Sequence, residues 1–442
     1  MDFEYSSEQE QMASALRRFL AKEYDFAARN RIIASGQGCS DAVWQALAEL
    51  GLLALPLPEK YGGFDGRLVD LMAIMEVLGE ALVIEPFFST VALGAPFLMR
   101  GGTPEQQQQW LPRIATGECR VAFAQQEADA RYDLAHCSTT ATARNGGWLL
   151  HGEKRVVLHG ACADLLVVAA RAGGNPDDAQ GISLFLVAAD APGVRLRGYS
   201  TADGLSAADI EFDQVVVSGD ALLGQAGDGL ALMEEVTDRA TAVLCAEAVG
   251  VLRLAYQVTL EYLKTRKQFG EPIGGFQALQ HRMVELFIDL EQAYSMVCLV
   301  CARLDAGVGP EERRRLASAA KIRIGDACRR SSQETVQMQG AMGMSDEMMI
   351  SHAFRRLTMI AQRLGDAEHH LERFAARRRC SGNRFPDGEG RIGNACRIDE
   401  RGRTLERQDL QRRMDPRRRR QSGRHRKGNR QCAGANRDCH TG

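Results

Sequence analysis

Apolar residues recur with helical period through roughly the first 115 residues, over 9–24, 40–52, 68–82, 90–99 and 104–115, with short Gly or Pro breaks between stretches. They predict an all-α N-terminal domain. The texture then turns to short apolar runs at 147–158, 165–170, 182–187, 194–199 and 210–217, bounded by Gly, Asp, Asn or Pro, which predicts a β domain. After Gly227 the helical period returns in four long stretches, 230–265, 276–306, 310–339 and 346–376. Four such amphipathic helices joined by short loops suggest an antiparallel bundle. The expected fold is multidomain α+β: an N-terminal all-α domain (1–117), a middle β domain (118–228) and a C-terminal antiparallel four-helix bundle (229–376). Beyond residue 376 the period fails. Stretches such as Pro416-Arg-Arg-Arg-Arg420 bury too little apolar surface to offset ordering entropy, so 377–442 is expected to be a disordered, Arg-rich tail.

Composition adds little to that picture until it is divided. The 442 residues, 45% hydrophobic and 25% charged, exclude a small disulfide-stapled module. The formal charge of -2 hides a split: 377–442 carries 20 Lys or Arg against 8 Asp or Glu, which leaves 35 against 49 for the body. The body thus has no basic excess to suggest nucleic-acid binding. The favoured reading of the tail is an adventitious extension rather than a nucleic-acid arm. No 18-residue apolar run is evident, so no membrane span is expected, and the acidic start Met1-Asp-Phe-Glu-Tyr-Ser-Ser-Glu8 predicts a cytoplasmic protein. The 12 cysteines are scattered, and Cys298 and Cys301 are expected to be buried packing residues, with no metal site.

Several residues carry candidate chemistry. Arg266, just past a long helix, offers a planar charged fork suited to a pyrophosphate, or else a cation offsetting the helix dipole. Gly270 and Pro272 make a tight turn that can project Phe269. Glu247, flanked by apolar residues in Leu244-Cys-Ala-Glu-Ala-Val-Gly250, is a candidate general base, because burial favours a protonatable carboxyl. Asp366 is a second candidate base, or else an N-cap of the helix that follows.

The order of domains, together with Leu50-Gly-Leu-Leu-Ala-Leu-Pro-Leu-Pro-Glu59 leading into Tyr61-Gly-Gly-Phe64, Gly152-Glu-Lys154 followed by Gly160, Ala163 and Asp164, Arg266-Lys-Gln-Phe-Gly-Glu-Pro-Ile273 with Phe276, Gln277 and Gln280, and Gln337-Met-Gln-Gly-Ala-Met-Gly343, resembles the acyl-CoA dehydrogenase family over about residues 5 to 375. The resemblance implies flavin adenine dinucleotide (FAD) as cofactor, an acyl-CoA substrate oxidised between Cα and Cβ, and an electron-transferring flavoprotein as acceptor. It implies an oligomer in which Arg266, Phe269, Gln277, Gln337 and Gly340 contact the FAD of an adjacent subunit, while Gln126 and Leu158 face the flavin from the β domain. Ala240, Leu244, Leu364 and Gly365 then fall at acyl-binding positions.

The chain also departs from that family. Leu364 occupies the position of the usual base, a Glu before Gly in a "Y-E-G-T" turn, although its backbone N–H can still donate to a thioester oxygen. Ala240 occupies the alternative Glu position of the isovaleryl-type branch, and Glu247 lies seven residues on, about 10.5 Å along the axis. The family's "T-E-P-x-A-G-S-D" reads Gln126-Glu-Ala-Asp-Ala-Arg-Tyr-Asp133 here, and "W-I-T-N" becomes Val156-Val-Leu-His159. His159 is either a replacement donor to the flavin edge or a core histidine. These losses, with Arg356-Leu-Thr-Met-Ile360 and Gly365-Asp-Ala-Glu-His-His-Leu371, resemble the small subunits of pimeloyl-CoA dehydrogenases, which pair with a large subunit. Two readings follow: a catalytic subunit of a heteromer acting on a pimeloyl-like or other medium-to-long thioester, with Glu247 as base, or a catalytically silent companion that completes its partner's flavin site.

Overall fold

A computed structural model describes residues 5–376 and the two-residue strands 397–398 and 404–405, which pair antiparallel. The expected disordered tail otherwise lies outside the described residues.

The N-terminal layer begins with Ser7–Glu23 (α1), where Ser6 and Gln9 close a reciprocal capping box. Phe26–Ser35 (α2) follows, a helix that periodicity does not announce because its one buried residue is the cation Arg29. Asp41–Glu49 (α3), Leu68–Glu80 (α4), Ala95–Gly101 (α5) and Pro104–Ala115 (α6) complete the layer. The stretch read as one helix over 90–99 is a π-helical segment, Phe88–Gly94, running into α5.

The middle domain is a mixed sheet of Val121–Ala124 (β1), Thr140–Arg144 (β2), Gly147–Leu158 (β3), Leu165–Arg171 (β4), Ile182–Ala188 (β5), Val194–Ser200 (β6), Ser206–Ser218 (β7) and Leu222–Leu223 (β8). Strand order is β6-β7-β3-β2-β4-β5-β8, with β1 added parallel to β4. Leu150, Val168, Phe185, Ile210 and Phe212 fill its core. The register of β3 on β7 breaks between Lys154 and Val157, and Val156 takes φ 53°, unusual for a β-branched residue. That bulge turns Val156 out of the ladder.

The C-terminal domain contains Gly229–Thr265 (α7), Gln277–Asp305 (α8) and Pro310–Gln339 (α9). Its fourth expected helix is two, Met349–Gln362 (α10) and Ala367–Ala375 (α11). Leu364 at φ 55° and Gly365 at φ 108° interrupt it, since no α-helix passes through such dihedrals. Between α7 and α8, Lys267–Gln268 (β9) and Glu271–Pro272 (β10) form a small hairpin. Helix α7 corrects one expectation: it is long and apolar enough to cross a membrane, but 67% of its most apolar window is buried within the protein, which makes it a core helix.

Helices α4 and α7 cross backbone to backbone. A Cβ added at Gly250 would lie 1.9 Å from the carbonyl oxygen of Glu76, and one at Gly79 would lie 2.2 Å from that of Glu247. Because the obstacle is backbone, Gly250→Ala is expected to cost about 3 kcal/mol or more by forcing the helices apart. A denaturant midpoint unchanged from that of the native chain would contradict this crossing.

Candidate functional site

A cleft of about 820 Å³ opens between the β domain and the last helices. One wall is the loop after β1, including Gln126 and Tyr132, with the bulged Val156 beside it; the other is the start of α7 and the α10–α11 turn. Leu364 and Asp366 line it. Tyr132 bridges the walls, its hydroxyl donating to Gln362 Oε1 at 3.0 Å and its ring 5.3 Å from that of His369. Asp238, buried at the edge of the cleft, is gripped by Arg373 Nη1 at 2.6 Å and Arg313 Nε at 3.3 Å. Burial pushes its carboxyl up, against the pull of both guanidiniums.

The α10–α11 turn is held from below. The Lys321 ammonium, fully buried on α9, donates to the carbonyl oxygens of Ile360 (2.9 Å), Ala361 (3.0 Å) and Gly365 (2.7 Å). His370 Nε2 lies 2.9 Å from the Leu364 carbonyl oxygen, which can only accept, so this nitrogen carries the proton. Burial, with Lys321 nearby, lowers the His370 pKa to about 3 and keeps the ring neutral. Lys321 was legible in principle as a lone cation inside the small-residue run Leu316-Ala-Ser-Ala-Ala-Lys321.

Behind the cleft lies a buried ionic knot. Arg356 donates from Nη1 to Glu247 Oε1 (2.7 Å) and to the Val83 carbonyl (3.0 Å), and its Nε lies 2.9 Å from Asp203 Oδ2. Arg363 reaches the same Asp203 oxygen, and its Nη1 is 4.0 Å from Glu247 Oε2. Arg29 donates to the carbonyls of Leu82 (2.8 Å) and Asp203 (3.0 Å). Burial alone would raise the Asp203 carboxyl, but Arg363 and Arg356 hold it below its ordinary value.

This geometry corrects several expectations. Glu247 is not a free base. Its carboxylate is committed to Arg356, and it borders a separate cavity of about 20 Å³, room for about one water and for no acyl chain. Asp366 is the N-cap of α11, accepting from the His369 N–H at 2.8 Å. Ala240 and Leu244 are fully buried in the main core and do not line the cleft, because their face of α7 is turned inward. Leu158 packs partly against that core and does not line the cleft either. Of its two readings, His159 takes the core one: it is 2% exposed, with Nδ1 2.8 Å from Ser89 Oγ and Nε2 3.1 Å from the Ile84 carbonyl oxygen, and burial lowers its pKa to about 3. Gly365 lies in the turn beside Leu364, while Gln126 and Leu364 do face the cleft.

Arg266, Phe269, Gln277, Gln337 and Gly340 gather elsewhere, at the far end of the bundle. Arg266 ends α7, Phe269 and Gly270 form the two-residue tip of the β9–β10 hairpin, Gln277 opens α8, and Gln337 and Gly340 close α9. A cluster of Leu263, Met283, Leu286 and Met338 joins these helix ends. The Arg266 guanidinium makes no ion pair among the described residues, and Phe269 is 92% exposed. None of these five residues lines the cleft.

Glu85, beside the 20 Å³ cavity, accepts from the Ser40 N–H at 2.9 Å, yet its other oxygen has no partner among the described residues. Burial pushes its carboxyl up to about 8. The folded state therefore holds a proton that the unfolded chain releases, so this group's contribution falls as pH rises from about 4.5 to about 8 and then levels off. Glu85→Gln is expected to match the native chain in Tm near pH 5 and to exceed it increasingly towards pH 8. A constant Tm difference across that range would sink the assignment.

The comparisons with known proteins agree with this architecture. Family models match residues 6–118 ("Acyl-CoA dehydrogenase, N-terminal domain"), 122–215 ("middle domain") and 227–378 ("C-terminal domain"). A probable acyl-CoA dehydrogenase of Bacillus subtilis is 28% identical over 383 residues, which cover 86% of this chain and 99% of that one. The crystal structure of an acyl-CoA dehydrogenase from Geobacillus kaustophilus superposes with a TM-score of 0.79 at 28% identity, over 84% of this chain and 98% of that one. A structure of the Tcur3481–Tcur3483 steroid ACAD matches with a TM-score of 0.75 at 28% identity, over 84% and 97%. The chain belongs to the acyl-CoA dehydrogenase family, whose members are FAD-dependent oxidoreductases.

Proposed function

We propose that this chain is the companion subunit of an unlike pair of acyl-CoA dehydrogenase chains, and that it contributes to FAD binding while its partner supplies the catalytic base. The observation that carries this reading is the state of the carboxylates. Both base positions hold apolar residues, Ala240 and Leu364, and the two candidate replacements are engaged, Glu247 with Arg356 at 2.7 Å and Asp366 with the His369 N–H at 2.8 Å. Held by Arg356 behind the cleft, beside a space with room for about one water, the Glu247 carboxylate has no approach to an acyl carbon.

In this reading the dinucleotide is shared between two chains. The cleft has the volume and the Gln126 wall, whereas the free guanidinium of Arg266 lies with Gln277, Gln337 and Gly340 at the other end of the bundle. Phe269 at φ 56° beside Gly270 at φ 89° gives the hairpin tip a positive-φ pair that a bulky residue adopts only at a cost, which suits a side chain meant for a neighbouring molecule. In the assembly, Arg266 neutralises phosphate charge and Phe269 fills a groove of the neighbour. Bound FAD supplies the hydride acceptor for the acyl Cβ. Lys321 and His370 hold the turn that carries the Leu364 N–H, a donor available to a thioester oxygen whatever the side chain. The acyl group proposed is pimeloyl-like and dicarboxylyl, with a steroid thioester as a second reading supported by the Tcur3481–Tcur3483 match, and the electron acceptor is an electron-transferring flavoprotein.

Co-expression with a family member that retains its base tests this. The purified pair is expected to carry flavin and to bleach on thioester addition, whereas this chain alone is not. Arg266→Ala is expected to lower flavin affinity of the pair at least about tenfold. Glu247→Gln is expected to cost about 3 kcal/mol of stability and to leave kcat per bound flavin within about twofold. A folded Glu247→Gln pair with normal flavin content and turnover reduced by orders of magnitude would restore Glu247 as the base and defeat the companion reading.

A further inference from the structure

The space of about 20 Å³ behind the main cleft has a mixed wall: apolar side chains such as Leu78 and Phe88, and the polar groups of Glu85, Glu247, Arg356 and Arg363. That volume admits about one water-sized molecule. Glu85 Oε1 and Arg363 Nη1 are buried there without a hydrogen-bond partner among the described residues. Glu85 is 3% exposed and the Arg363 side chain 11%. Arg363 Nη1 stands 4.0 Å from Glu247 Oε2, too far for a direct hydrogen bond. The other polar groups of the wall are already engaged. His159 faces Ser89 and the Ile84 carbonyl with its two ring nitrogens, and Arg356 meets Glu247 Oε1 and Val83 through Nη1 and Asp203 through Nε.

We propose that this space is a binding site for one internal water, held by Arg363 Nη1, Glu247 Oε2 and Glu85 Oε1. A donor and an acceptor 4.0 Å apart are at the separation that a bridging water spans, with two legs of about 2.8 Å meeting at about 90°. The chemistry of the wall selects the occupant. A guanidinium only donates and an ionised carboxylate only accepts, so a molecule that serves both must do both. A cation would be repelled by Arg356 and Arg363, and a halide by the Glu247 carboxylate. A neutral molecule of one heavy atom that donates and accepts is water. Left without it, the guanidinium N–H and the Glu85 oxygen would each have given up their solvation for nothing in return.

The hydrogens can be assigned. Glu85 uses Oε2 to accept from the Ser40 N–H, and burial pushes its carboxyl up to about 8, so near neutral pH Oε1 carries the proton. The water accepts from Glu85 Oε1–H and from Arg363 Nη1–H and donates to Glu247 Oε2. Three bonds are the usual number for a buried water. The site thereby joins three parts of the chain: the segment after α4 that holds Glu85, helix α7 with Glu247, and the end of α10 with Arg363. Arg363 also lines the main cleft, so the water backs one wall of that cleft.

The test is a high-resolution crystal structure of the full chain, from crystals grown with bromide in place of chloride and measured at the bromine absorption edge. Expected is a single spherical density peak without anomalous signal, within about 3.2 Å of all three atoms. Glu85→Gln is expected to keep the peak, because its amide still offers a polar atom to the space, and Glu85→Leu is expected to lose it. In solution, oxygen-17 relaxation dispersion is expected to count one long-lived internal water fewer in Glu85→Leu than in the native chain. The native crystal stands as a test even if a variant misfolds. An anomalous peak at the site, a direct Arg363–Glu247 hydrogen bond that closes the space, a space without density, or a peak that persists unchanged in Glu85→Leu overturns the proposal.

Discussion

The buried guanidinium of Arg356 is the interaction on which the arrangement of the domains rests. It is 1% exposed and bears on an element of every layer: Val83 after α4, Asp203 just before β7, and Glu247 in α7. Taking such charges out of water costs several kcal/mol per ion, and the cost is met only where each charge finds its counterpart in good geometry. Three cations, Arg29, Arg356 and Arg363, converge on two carboxylates and a set of carbonyls, so any one domain displaced from the others would strand a buried charge. The knot acts as a registry device between the three layers.

That constraint also determines the chemistry available to the chain. A glutamate in an apolar helical run reads as a base when its surroundings are inferred from its own helix. Arg356 lies 109 residues away and removes that freedom. The site nevertheless keeps the features that do not depend on a carboxylate: the Leu364–Gly365 turn, the buried Lys321 beneath it, and the cleft on its open side. A subunit can lose proton abstraction and still retain a scaffold for a cofactor.

The cleft and the hairpin that follows Arg266 lie at different ends of the bundle. At the hairpin tip Phe269 takes the positive φ that a two-residue turn requires, and its ring, edge-on to Phe276, is left 92% exposed.

Apolar pattern by itself determined the succession of helical, strand and helical domains: most elements bury one face, which recurs every 3.6 or 2 residues, while β4 and β5, buried on both faces, show as short continuous apolar runs. Local motifs determined the hairpin with Arg266 and Phe269, since a tight turn between two long helices is written in Gly270 and Pro272. Short strands such as β1 and β2, and helix α2 with its single buried Arg29, were too weakly patterned to be read. The roles of Glu247, Asp366 and His159 were decided only by tertiary structure. Sequence shows that such side chains can titrate or bind, but the partner that fixes each one, Arg356, the His369 N–H or the Ile84 carbonyl, comes from the fold. Electrostatics in a low-dielectric interior acts through space over a few ångströms, and proximity in space is what a linear chain does not disclose.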